Sequence, residues 1–76
     1  TDHILVMTTA LLKGAVQFIN NTATYTASAD VFADASNDLT LTINDPGAYE
    51  VNFLSLSPTV VYVWGFVGAV TIPVFS

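Results

Sequence analysis

Residues 39–53 read LTLTINDPGAYEVNF. In the first part Leu39, Leu41 and Ile43 alternate with Thr40 and Thr42. A period of two puts the apolar side chains on one face and the hydroxyls on the other, as in a half-buried strand. In the last part Tyr49, Val51 and Phe53 alternate with Glu50 and Asn52 in the same way. Between them stands Asn44-Asp45-Pro46-Gly47, where proline presets φ for the second turn position and glycine is free to take positive φ. Two alternating runs around such a turn predict an antiparallel hairpin, 39–43 paired with 49–56.

Downstream, Ser57-Pro58 ends the second strand and 60–67 reads as the next. Both of its faces are apolar, with Val61 and Val63 on one and Tyr62, Trp64 and Phe66 on the other. Such a strand is central in a sandwich or has one face in a subunit interface. Gly65 and Gly68 point to a bulge or a close backbone approach, and Pro73 to an edge position for a last strand over 70–75. Upstream, 4–8 is apolar and reads as a strand or as part of an arm over 1–9 packed on a neighbour. A strand over 15–19 runs into the turn pair Asn20-Asn21, and 22–27 alternates Thr with Ala and Tyr as a further strand. Residues 30–38 carry acidic and small side chains without periodicity and read as a surface loop. Valine and threonine, ten of each, are the commonest residues, and both are β-branched. The expected fold is all-β: a small antiparallel sandwich or jelly-roll-like barrel of six to seven short strands, one domain over 1–76.

A 76-residue domain buries only about 60% of the surface its unfolded chain exposes, so it is marginal alone. The usual reinforcements are disulfides, a metal or oligomerisation. The chain has no cysteine, and His3 is its only histidine, which excludes disulfides, thiolate sites and multi-histidine metal sites within one chain. Hydrophobic residues make up 53% and charged residues 9%, against about 25% charged in average domains, so an isolated copy must expose apolar patches. Oligomerisation is the reinforcement left. The net charge is -5 with Lys13 the only cation, which argues against binding nucleic acid or docking electrostatically on an anionic membrane.

Nothing in the chain points to catalysis, and it is expected not to be an enzyme. No serine sits in a nucleophile elbow, His3 is terminal, and the four glycines form no phosphate loop. Asp30, Asp34, Asn37, Asp38 and Asp45 offer oxygens of the kind hard cations prefer, but their spacing matches no calcium loop, so they are read as solvated turn residues. No cofactor or metal is expected. Residues 59–75 hold 17 positions without a charge, near the lower limit for a membrane-spanning helix. Gly65, Gly68, Pro73 and the many valines favour two strands with a bend instead.

The stretch 39–53 resembles the strand, Pro-Gly turn, Tyr-x-Val strand found in trimeric jelly-roll heads of the TNF/C1q type and in similar phage and spore-surface trimers. The resemblance covers 15 of 76 residues and implies a homotrimer, with the aromatic strand that follows near the trimer axis. Small size, no cysteine, low charge, Thr/Val richness and a start at Thr1 of the kind left by methionine removal also resemble small phage virion proteins such as capsid decoration proteins. The expectation is a capsid decoration or cement protein on the virion surface, partnered by copies of itself and by a larger shell protein. A membrane-associated protein spanning through 59–75, a trimeric spike or fibre head, and a carbohydrate-binding β-module are the alternatives. Tyr49, Phe53, Tyr62, Trp64, Phe66, Ile72 and Phe75 are the residues expected in the core or in an interface.

Overall fold

The computed structural model describes residues 1–20 and 31–76. They form seven strands: β1 (His3–Val6), β2 (Leu11–Asn20), β3 (Val31–Asp38), β4 (Thr40–Ile43), β5 (Ala48–Ser57), β6 (Val60–Ala69) and β7 (Val74–Phe75), with no helix among the described residues. The strands make two sheets, β1-β4-β7 and β3-β2-β6-β5. The fold is a small β sandwich.

The larger sheet is organised around its two middle strands. β2 and β6 run parallel in unbroken register from Leu11↔Val60 to Asn20↔Ala69, while the other four pairings are antiparallel. Alternate side chains of this pair point inward: Leu12, Val16 and Phe18 from β2, and Val61, Val63, Val67 and Ala69 from β6, all buried. Leu41 and Ile43 of β4 meet them from the smaller sheet, and Ala33 and Ala35 of β3 complete the core. Among the described residues no buried side-chain nitrogen or oxygen lacks a hydrogen-bond partner.

The expected hairpin does not form. β4 pairs with β1 and β7, whereas β5 pairs with β6 in the other sheet. Residues 44–47 therefore carry the chain across the sandwich rather than back along it. The backbone bonding explains why. The Asp45 N–H donates to Asp2 Oδ1 at 2.9 Å, and the Gly47 N–H donates to the Gly68 carbonyl at 2.8 Å. The turn is tied to the start of β1 and the end of β6 instead of closing on itself. Asp45, not Gly47, takes the left-handed conformation, with φ 42°. Aspartate tolerates that region because its side chain can bond locally.

Residues 31–38, expected as a loop, form β3, paired with β2. The alternation is present, but its inward members are Ala33 and Ala35, too small to register as an apolar stripe. Ser36 and Lys13 pair across a bulge at which Asn37, φ 60°, steps out of the ladder and accepts a hydrogen bond from Lys13 Nζ. The strand expected over 15–19 extends to Leu11–Asn20, and the one over 70–75 shrinks to Val74–Phe75. β7 follows Pro73 and lies at a sheet edge, where a residue without an N–H donor is tolerated. Residues 3–6, expected as a strand or as part of an arm, form β1 and pair with β4. Residues 59–75 contain β6 and β7, and no described helix is long and apolar enough to cross a membrane. The strand expected over 22–27 lies outside the described residues.

Two glycines let the sheet close. Gly65 has φ 146°, and a Cβ there would lie 2.0 Å from the Glu50 carbonyl oxygen of β5. Gly14 has φ 105°, and a Cβ would lie 2.3 Å from the Val63 carbonyl oxygen of β6. In both cases the obstacle is backbone of a paired strand, which cannot yield as a side chain would. Gly65→Ala is expected to destabilise the chain by roughly 1–3 kcal/mol, measured by chemical denaturation. The β3 assignment is tested by a pair of neighbours. Ala33→Asp buries an unpaired charge and should cost about 3 kcal/mol or more, while Asp34→Ala on the opposite face should stay within about 0.5 kcal/mol.

Candidate interaction surface

The outward face of the larger sheet follows directly from the register. Across its middle, Asp34, Ala15, Trp64 and Asn52 stand in one row. Phe32, Gln17, Phe66 and Glu50 form the row on one side, and Ser36, Lys13, Tyr62 and Leu54 the row on the other. Tyr62, Trp64 and Phe66 thus make an aromatic ridge along β6. The Tyr62 and Trp64 rings stack with centroids 5.7 Å apart and an interplanar angle of 26°. They are 40% and 41% exposed, with no second layer over them among the described residues, while Phe66 is half-buried. The surface of the whole chain is 4469 Å², close to the roughly 4500 Å² expected for a folded 8.1 kDa monomer. The ridge is therefore exposed because of which residues face outward, not because the chain is loosely collapsed.

A second apolar feature lies on one flank of the sandwich. The two flanks differ. On one, β3 packs against β7. On the other, the sheet edges β1 and β5 stand apart and leave an open groove of about 220 Å³. His3 and Leu5 of β1, Leu41 of β4, and Tyr49, Val51 and Phe53 of β5 line it. The His3 and Tyr49 rings meet across it, centroids 4.8 Å apart. Tyr49 and Phe53 face inward by register, yet both remain exposed because the short smaller sheet does not reach over them.

Of the other expected interface or core residues, Ile72 is exposed in the turn between β6 and β7, and Phe75 is half-buried against the core. Sequence reasoning passed over Leu54 and Leu56, which are 51% and 60% exposed. The signal was in the run Phe53-Leu54-Ser55-Leu56, where apolar residues fall on both faces of an edge strand. Of the oxygen-rich residues, Asp30 lies outside the described residues and the others do not gather: Asp34 is on the outer face, Asp38 opposes Leu12, Asn37 stands at the bulge, and Asp45 is at the crossover turn. Among the described residues no three histidine or carboxylate groups converge as a metal site would require.

The first residues of the 76-residue chain are tied to the crossover turn. The Thr1 ammonium bonds and pairs with the Asp45 carboxylate, both highly exposed. The hydrogen bond from the ammonium holds Asp45 below its ordinary value of 3.8, and the same bond raises the Thr1 ammonium above 8.0. The depressed Asp45 contributes stability above its unfolded pKa, lost as pH falls through the folded one. The raised ammonium contributes stability below its unfolded pKa, lost as pH rises through the folded one. The latch thus operates between these limits and is weak, as exposed pairs are. In the 76-residue chain, Asp45→Asn should bring the ammonium pKa down toward 8.0 in an NMR titration. The melting temperature should change little.

Comparison with known proteins finds no matching family model, no matching curated protein and no matching solved structure.

Proposed function

We propose that this chain is a non-catalytic structural subunit that coats a larger protein shell, as a capsid decoration or cement protein on a virion surface. The observation that carries the reading is the unpartnered Tyr62–Trp64 stack at the centre of a sheet face. Large aromatic side chains that shed water on docking dominate protein interfaces, each contributing well beyond its polar neighbours. Here the ridge is rimmed by Lys13, Gln17, Glu50, Asn52 and Asp34, the apolar centre and polar border of a protein-binding patch. A chain with seven charged side chains gains solubility and stability together by burying such a face. The net charge of -5 directs it to protein and away from nucleic acid. The trimeric-head reading rested on the 39–53 hairpin, which is absent, and so carries less weight.

The test is co-sedimentation of the purified chain with shells assembled from the coat protein of its own source. The wild-type chain should pellet with the shells, and Trp64→Ala should weaken binding about 30-fold or more while its circular dichroism is unchanged. A wild-type chain that stays in the supernatant would sink the reading. A carbohydrate-binding module is the second reading, favoured by the same exposed stack beside hydrogen-bonding side chains Gln17, Glu50 and Asn52. Glycan-array binding that disappears in Trp64→Ala would select it.

A further inference from the structure

The four-stranded sheet has two edges, and they are built differently. The β3 edge carries Asp34 and Asp38, the Asn37 bulge and a covering contact from β7. Inserted charges, bulges and coverage are the devices that stop a sheet edge from pairing with another chain. The β5 edge has ten residues, one charge (Glu50), no proline, and a bulge only near its C-terminal end, between Ser55 and Ser57. It exposes Phe53, Leu54 and Leu56 and stands beside the open groove. Edges of this kind pair with a further strand.

We propose that the occupant is a second copy: β5 pairs antiparallel with β5 of another chain about a two-fold axis at Asn52. This rests on the reading of the chain as an assembly subunit but uses a different surface from the aromatic ridge. A two-fold axis relating antiparallel neighbours runs normal to the sheet, so both outer faces stay on one side. The two four-stranded sheets become one of eight strands, and the two Tyr62–Trp64 ridges share one platform. On the other side, the two grooves open toward each other, and Tyr49, Val51 and Phe53 of each copy cover the mouth of the other's.

Charge and the bulge select the axis. With the axis at Asn52, Glu50 opposes Leu54 of the second copy, and the two Glu50 carboxylates are four residues apart along the strands, about 13 Å. That exceeds a Debye length of about 8 Å at physiological salt. An axis at Val51 would halve that spacing along the strands and bring them to about one Debye length, where their repulsion is screened less. An axis at Phe53 would set the bulged Leu56 opposite Glu50, within the ladder, whereas an axis at Asn52 leaves it opposite Ala48, at the strand's end. Asp2 and Asp45 lie at the N-terminal end of β5, so the antiparallel arrangement sends the two copies' pairs to opposite ends. The blocked β3 edge keeps the dimer from growing into a filament. A strand of ten residues is about 33 Å long, so the contact is at the small end of specific interfaces and a micromolar dimer is expected.

The absence of cysteine permits a clean test with the 76-residue chain. Light scattering at tens of micromolar should give twice the 8.1 kDa monomer mass. On oxidation, Asn52→Cys should cross-link to itself, and Val51→Cys mixed with Phe53→Cys should cross-link to each other. Ser55→Cys alone, and Asp34→Cys on the β3 edge, should not. Asn52→Asp is nearly isosteric and sets two carboxylates face to face, so it should raise the dimer Kd about ten-fold, less at high salt. Mixing it with Asn52→Lys should restore a heterodimer. A monomer throughout this range, a trimer, or cross-linking as strong through Asp34→Cys as through Asn52→Cys would overturn the proposal. Trp64→Ala separates the two ideas: it should weaken shell binding about 30-fold or more and leave the dimer intact. A dimer that binds no shell therefore refutes the function alone, and a shell-binding monomer refutes the dimer alone.

Discussion

The parallel pairing of β2 with β6 is the constraint on which the rest of the molecule depends. It runs through ten residue pairs and sets the inward row of each strand opposite that of the other. Leu12, Val16, Val63 and Val67, all fully buried, come from these two strands. Parallel neighbours cannot be joined by a tight turn, so the chain between them must leave the sheet and return. β3 pairs on one side of β2, and the chain then crosses to the small sheet as β4 and crosses back as β5 before β6 enters. The crossover at 44–47 is part of that route, and its anchoring to Asp2 and Gly68 follows from where it must pass. Gly14 and Gly65 belong to the same constraint, since each sits where a neighbouring strand's carbonyl comes too close for a Cβ.

The small sheet has too few strands to cover the large one. It closes the flank where β7 meets β3 and leaves the flank between β1 and β5 open. An inner face that extends past its cover leaves Tyr49 and Phe53 exposed although they alternate like core residues. The outer face is exposed by the architecture itself, because a sandwich has only one interior. A short, charge-poor chain therefore presents two apolar surfaces, a ridge on a face and a groove on a flank. Among the described residues, the smaller sheet covers only part of the larger one's inner face.

Much of the architecture was legible. The all-β class, the central place of 60–67, the edge place of the last strand and the close approach at Gly65 all follow from propensity and period. The failures were specific. Residues 31–38 were missed because an inward row of alanine has little hydrophobic contrast with Asp and Ser. The 39–53 hairpin was wrongly expected because alternation and a Pro-Gly turn describe two strands and a bend, not which sheet each strand joins. The aromatic residues of 60–67 were recognised as core or interface, but periodicity alone gave no way to tell the inner row from the outer. That distinction came only with the register against β2 and β5.

The amino-acid sequence by itself determined the all-β class and the excess of apolar over charged side chains. Both are local or summed properties: β-branched alternation dictates pleated segments, and the ratio of apolar to charged side chains dictates exposed apolar surface. The tertiary structure alone decided which strands neighbour which, and so which apolar row is covered. Pairing depends on contacts between residues distant along the chain, such as Ala15 beside Trp64 or Asp45 beside Asp2, and no local pattern encodes them.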